Sequence, residues 1–181
     1  MNNSYKQAFI EVLQLGSERA VADMVVDKVE RDSEKFAAVL ALCFSEKYPI
    51  SMRAARVVQL CCSKYPKLLV PHYENVILLL AQTKVSGVKR NFLKIFDEYS
   101  ELKNIPNPGV LLNLCFDWLN NPSEDIAIRV FAMGVLYKFA KSEPDLTNEL
   151  SLVIQNQLEY ETSPGFINKA GKILKKLGTG Q

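Results

Sequence analysis

Histidine and tryptophan are almost absent from this sequence, which holds one of each, His72 and Trp118, in 181 residues. None of its four cysteines belongs to a CxxC pair, so a zinc site would need all four thiols to converge from unrelated spacings. We therefore predict no metal and no cofactor. The cysteines stand inside apolar runs, which favours free, buried thiols in a reducing compartment; they are Cys43, Cys61, Cys62 and Cys115.

Signatures of catalysis are missing as well. No serine or cysteine stands in a nucleophile elbow. No glycine-rich loop could cradle a phosphate, since Gly178-Thr179-Gly180 falls in the tail. A lone histidine near a helix start, such as His72, is typical of a surface residue and not of a general base. The sequence therefore predicts a protein that is not an enzyme and has no catalytic residues.

Long apolar runs and an export signal are also lacking. The longest apolar stretches, such as 76–81, are much shorter than the roughly 18–20 residues that a membrane span needs. The first residues do not show the basic-then-apolar order of a signal peptide. We expect a soluble, cytoplasmic protein with no membrane partner.

What the sequence does have is a helical pattern of apolar residues. Its composition, 48% hydrophobic and 23% charged with a net charge of +2, is that of one folded domain with a buried core. In the last segment Phe166, Ala170 and Ile173 share one helix face, whereas Lys169 and Lys172 lie on the other. No segment shows the period-two alternation of a β-strand. The prediction is an all-α fold.

Ten helices are predicted, joined by short connections. Small polar residues before the apolar runs are predicted as N-caps, and at Asn107-Pro108 and Ser163-Pro164 a proline follows the cap. The predicted serine caps are Ser17, Ser33, Ser51, Ser86 and Ser123. The predicted helices span 4–14, 17–31, 33–47, 51–64, 68–83, 86–101, 108–120, 124–141, 146–160 and 164–177.

An internal repeat organises these helices. Pro66-Lys67-Leu68 recurs 78 residues later as Pro144-Asp145-Leu146, and the same shift carries Gly87 to Gly165. The unit is a pair of helices that buries its apolar face by stacking on neighbouring pairs. An irregular bundle with helices of similar length is the alternative. We predict one domain over 1–181, with an N-terminal pair or cap at 4–31, repeat pairs at 33–64, 68–101, 108–141 and 146–177, and a frayed tail at 178–181.

Two segments resemble the second helix of the HEAT repeat. Met52-Arg53-Ala54-Ala55-Arg56-Val57-Val58 and Ile128-Arg129-Val130-Phe131-Ala132 both look like its valine-arginine-then-alanine opening. The resemblance covers about residues 33–177. It implies an α-α superhelix of antiparallel, HEAT/ARM-like helix pairs in which the second helices line the concave face.

Charge separates the two kinds of helix. The predicted second helices carry thirteen Lys or Arg against five Asp or Glu. The first helices, counted together with the residue that follows some of them, over 34–47, 68–84, 108–121 and 146–161, carry three basic and seven acidic residues. The repeat register aligns Arg56, Asn91, Arg129 and Lys169, and Arg53, Lys94 and Lys172 lie one helical turn from members of that set. We predict that these seven residues bind a protein partner or acidic peptide. One alternative is an ordinary solvated helix surface. Another concerns the five cations Arg53, Arg56, Arg129, Lys169 and Lys172, which are expected to be either exposed or paired across repeats with acids such as Asp97 or Asp125.

The predicted function is therefore a non-catalytic scaffold or adaptor. The second hypothesis is a nucleic-acid-binding solenoid, because Asp117-Trp118 followed by Ile126-Ala127-Ile128-Arg129 resembles a segment of the HEAT-like alkylpurine DNA glycosylases. Those enzymes hold the damaged nucleotide with tryptophans and an aspartate. Trp118, however, shares a repeat position with Leu80 and Leu158, which indicates a residue of the core.

Overall fold

The computed structural model of the protein describes residues 3–178, and within them it contains ten α-helices and no β-strand. This confirms the all-α prediction and the number of helices. Of the predicted frayed tail at 178–181, residues 179–181 lie outside the described residues. The helices are α1 Asn3–Gln14, α2 Arg19–Val29, α3 Ser33–Ser45, α4 Ile50–Lys64, α5 Tyr73–Gln82, α6 Ser86–Glu98, α7 Pro108–Asn120, α8 Ile126–Ser142, α9 Asp145–Leu158 and α10 Pro164–Leu177.

The helices form two compact units. α1–α6 belong to the first unit, which ends at Ser100, and α7–α10 belong to the second, which begins at Glu101. In the first unit α4 packs against α2, α3 and α6; in the second α8 packs against α7, α9 and α10. Helices thus pack both on a neighbour in sequence, as α3 does on α4, and on the next helix but one, as α4 does on α6, which is expected when helix pairs stack. The extent of the predicted single domain, 1–181, remains a prediction.

The predicted start of the fifth helix at residue 68 is wrong. Residues Pro66–His72 form a 3₁₀ segment, and α5 begins only at Tyr73. The reason is Pro71, because its ring disfavours the α conformation of the preceding residue and clashes with the carbonyl one turn back. The apolar spacing alone did not reveal this break.

The five serine N-caps are also wrong. Ser33 and Ser86 are the first residues of α3 and α6, and each stands one position after the cap. At α3 the cap is Asp32, whose carboxylate accepts hydrogen bonds from the backbone N–H of Glu34 at 2.9 Å and of Lys35 at 3.0 Å. A carboxylate also suits the positive end of the helix dipole. The caps before prolines, Asn107 and Ser163, are confirmed by position.

All four cysteines are buried, as predicted. Burial in apolar surroundings disfavours the thiolate, so it raises the pKa of Cys61 to about 12 and raises the pKa values of Cys43 and Cys62 as well. Because the thiolate is the reactive form, these cysteines are expected to be inert in the folded protein.

We expect thiol titration of the unreduced native protein to proceed slowly and the unfolded protein to give four free thiols. The measurement is the time course of a chromogenic thiol reagent with and without denaturant. Rapid reaction in the native protein would contradict the burial, and two thiols after unfolding would show that a disulfide had formed.

Candidate partner-binding surface

Arg53 and Arg56 on α4 hold the end of α1 and the turn that follows it. Nε of Arg53 donates to Oγ of Ser17 at 2.9 Å, and its Nη1 donates to the carbonyl oxygen of Leu13 at 2.7 Å. Nη1 of Arg56 donates to the carbonyl oxygen of Ser17 at 3.1 Å. Both arginines are half-buried. They are therefore brought together, but they bind their own chain and only part of each side chain reaches solvent.

Asn91 and Lys94 on α6 differ in accessibility. Asn91 is buried, and its Nδ2 donates to the carbonyl oxygen of Gly87 at 2.7 Å. With 6% of its surface exposed, Asn91 does not stand on an exposed polar face as predicted, and the bond to Gly87 occupies one of its donors. Lys94 is half-buried and lies 3.8 Å from the carboxylate of Glu98. Such an exposed i,i+4 pair contributes little and leaves the ammonium group accessible.

Arg129 on α8 is buried, with 3% of its surface exposed. Its guanidinium group donates to Oε1 of Gln157 at 2.7 Å and to Oε2 of Glu161, and it lies 4.7 Å from the ring centroid of Phe166. Nε also reaches the carbonyl oxygen of Leu119 at 3.4 Å. The arginine therefore joins α8 to the end of α7, to α9 and to α10.

Of the two arrangements predicted for Arg129, exposure to solvent and pairing across repeats, the structure shows the second. Its acidic partner is neither Asp97 nor Asp125 but Glu161. The backbone N–H of Ser163 donates to Glu161 at 2.9 Å, and this bond, together with Arg129, holds the pKa of Glu161 below its ordinary value. Sequence reasoning did not identify Glu161 as a partner of Arg129. Glu161 lies in the connection after α9, and no residue of that connection was considered as a partner.

Lys169 and Lys172 lie on α10, whose fourteen residues contain four lysines and no acid. Lys172 and Lys175 are exposed, and Lys169 is half-buried. The ammonium group of Lys176 lies 5.6 Å from the ring centroid of Tyr137 on α8. The opposite side of α10 carries Phe166 and other core residues. This confirms the amphipathic pattern and leaves a basic side of α10 in contact with solvent.

The sequence also singled out Trp118 and His72, and the structure buries the first fully and the second in part. Trp118 is 7% exposed, so its indole offers no face on which a nucleotide could stack, and only the neighbouring Asp117 is exposed. His72 is half-buried, its ring centroid lies 6.1 Å from that of Phe36, and burial lowers its pKa. In the part of the chain that the structure describes, no cluster of His, Cys, Asp and Glu could hold a metal ion.

No helix within residues 3–178 is both long and apolar enough to cross a membrane.

Comparison with protein families identifies the helical pattern. A family model described as a HEAT repeat domain matches residues 10–177, a range that includes residues of both compact units. No curated protein and no solved structure matches the chain.

Proposed function

Since this chain belongs to the family of HEAT repeat domains, we propose that it is a non-catalytic scaffold or adaptor that binds an acidic segment of a protein partner through α10. HEAT repeats commonly mediate protein interactions, and their family is typically non-catalytic. We further propose a cytoplasmic location, because cysteines that stay unpaired suit a reducing compartment.

The observation that carries this proposal is the charge of α10. Lys175 and Lys176 stand in its last turn, where cations also stabilise the negative end of the helix dipole. Lys169 and Lys172 lie further from that end, so the dipole does not account for them. With no carboxylate on the helix, the four lysines create a positive potential that attracts acidic partners and speeds their association.

Of the seven residues predicted from the sequence, Lys169 and Lys172 therefore form the proposed site, extended by Lys175 and Lys176. The secondary candidates are Lys94, Arg53 and Arg56. Each is half-buried and already contacts residues of its own unit, so only part of its side chain is accessible to a partner. Asn91 and Arg129 are removed from the proposal by their burial.

We expect charge reversal on α10 to abolish most binding of an acidic peptide. The double variant Lys172→Glu/Lys175→Glu should bind a fluorescent, glutamate-rich peptide about tenfold more weakly or worse, because like charges then face each other. Fluorescence anisotropy measures the affinity, which should also fall for the unaltered protein as salt screens the charges. Both lysines are exposed, but Lys175 stands at the negative end of the helix dipole, so the melting temperature should fall by roughly a few degrees at most.

The matched control is Lys47→Glu/Lys84→Glu, which changes the net charge equally at two exposed lysines of the first unit. It should retain binding. Equal losses in both double variants would show attraction to net charge alone and contradict a site on α10. Tighter binding of duplex DNA than of the peptide, with a steep dependence on salt, would instead favour the nucleic-acid hypothesis.

A further inference from the structure

A groove in the first unit has no counterpart in the sequence-based predictions. It lies where the N-terminus of α3, the C-terminus of α4 and the 3₁₀ segment Pro66–His72 meet, and its volume is about 490 Å³. Pockets that hold small ligands or single anchoring side chains commonly measure about 300–1,000 Å³. The groove is therefore large enough to receive a bulky side chain together with its neighbours.

The floor and walls of the groove are apolar and stiff. Tyr65, Leu68 and Pro71 line it, and Tyr65 is half-buried. Pro66 and Pro71 fix two backbone φ angles in the short 3₁₀ segment, so the wall is organised before a ligand arrives. A preorganised apolar surface loses little conformational entropy on binding, which favours occupation by an apolar group.

The rim of the groove is positively charged. Arg31, Lys64 and Lys67 line it, all three are exposed, and no carboxylate is among the lining residues. The guanidinium group of Arg31 lies 5.0 Å from the ring centroid of Tyr65, so it stands beside the apolar floor. One cation thus already borders the surface on which an apolar group would rest.

Acidic side chains beside the rim compensate this charge only weakly. Glu30 and Glu34, which are next to Arg31 and Ser33 in the sequence, are exposed, so water screens their charge. Asp27 lies 4.0 Å from Nζ of Lys64, but both side chains are more than half exposed and such a pair is weak. The carboxylate of Asp32 accepts the backbone N–H groups of Glu34 and Lys35 and lies 3.7 Å from Nζ of Lys35. It is therefore occupied by the capping of α3.

We propose that this groove docks a linear segment of a partner protein in which a bulky apolar side chain is flanked by carboxylates. The apolar side chain packs between Tyr65, Leu68 and Pro71, and the carboxylates meet the cations of the rim. An apolar group alone would leave the three cations unused, and an anion alone would leave the floor uncovered. The groove adds a second contact to the proposed adaptor function, on residues that α10 does not contain.

The probe is a synthetic peptide with one tryptophan between glutamates, titrated into the isotopically labelled full chain and followed by amide chemical shifts. We expect the shifts to change at Arg31, at Ser33 and at the residues of 64–72 other than Pro66 and Pro71, which have no amide N–H. Replacing the tryptophan of the peptide by serine, or its glutamates by glutamines, should each weaken binding, because each change removes one of the two recognised features. If either altered peptide still shifted the groove residues at the same peptide concentrations, the proposal would be overturned.

Variants of the protein separate this site from α10. Lys64→Glu/Lys67→Glu should weaken binding at the groove about tenfold or more. Lys172→Glu/Lys175→Glu should leave the shifts at 64–72 intact. If the peptide shifted only residues of α10, the groove proposal would be wrong and the proposed function of α10 would stand. If it shifted only the groove residues, the proposed function of α10 would be wrong and the groove proposal would stand. Duplex DNA that shifts the same groove residues and binds more tightly than the peptide would also overturn the proposal.

Discussion

Replacing Arg129 by alanine is expected to lower the free energy of unfolding by about 3–5 kcal/mol, because it removes one partner of a buried ion pair. The side chains of Arg129 and Glu161 are only 4% and 14% exposed, so water cannot replace the lost contact well. Gln157 and the carbonyl oxygen of Leu119 lose a donor in the same step. Urea unfolding followed by circular dichroism measures the effect.

The matched control is Lys172→Ala, an exposed cation in the same unit, which should change the free energy of unfolding by no more than about 0.5 kcal/mol. If Arg129→Ala and Lys172→Ala had equal effects, Arg129 would not be a stabilising link between helices. A double-mutant cycle with Glu161→Gln then measures how much of the effect belongs to the pair itself.

The same ion pair predicts a dependence of stability on pH. The pKa of Glu161 is lowered in the folded protein, first by the N–H of Ser163 and then by Arg129. A lowered pKa stabilises the folded state fully above the ordinary glutamate pKa of about 4.3, and this contribution is lost as pH falls through the lowered value. Glu161→Gln should therefore lose less stability on acidification than the unaltered chain, and an equal loss would contradict the assignment.

Replacing Trp118 by alanine is expected to cost about 3–5 kcal/mol, as truncation of a large buried aromatic residue does. Trp118→Phe keeps a ring in the core and should cost clearly less. The unfolding of both variants is followed by circular dichroism, because each variant has lost the one tryptophan of the chain and its fluorescence.

The fluorescence of the unaltered chain tests the same burial independently. Emission from Trp118 should be shifted to the blue in the native protein and should resist quenching by a soluble quencher. Red-shifted, readily quenched emission together with a small effect of Trp118→Ala would contradict a core position. It would restore the hypothesis of a nucleotide-binding tryptophan.

The number and type of helices could be predicted from the sequence because apolar spacing reflects burial directly. The repeat register placed Leu80, Trp118 and Leu158 at one position, of which Leu80 and Trp118 are buried and Leu158 is half-buried. Local chemistry that competes with spacing was harder to predict. Pro71 displaced the start of α5, and Asp32, one residue before Ser33, proved the better cap for α3.

The candidate site was predicted less well than the fold. The register aligned four polar residues, but their surroundings differ. Two of them are half-buried, Arg56 and Lys169, and two are buried, Asn91 and Arg129. A sequence shows that such a residue is polar, but not whether its partner is solvent, its own helix or the next repeat. Arg129 illustrates this, since its partners Gln157 and Glu161 lie about thirty residues away and no local pattern links them.

The hydrogen bonds that α4 donates to the end of α1 and the turn after it have two kinds of acceptor, main-chain and side-chain, and these respond differently to mutation. Of the three hydrogen bonds that Arg53 and Arg56 donate, two end on main-chain carbonyl oxygens and one on the hydroxyl of Ser17. A carbonyl oxygen is present whatever side chain occupies its residue. Position 17 can therefore vary with the loss of a single bond, and the same holds for position 56, whereas a side chain without a donor at position 53 loses two bonds. Sequence drift at this contact is therefore most restricted at Arg53.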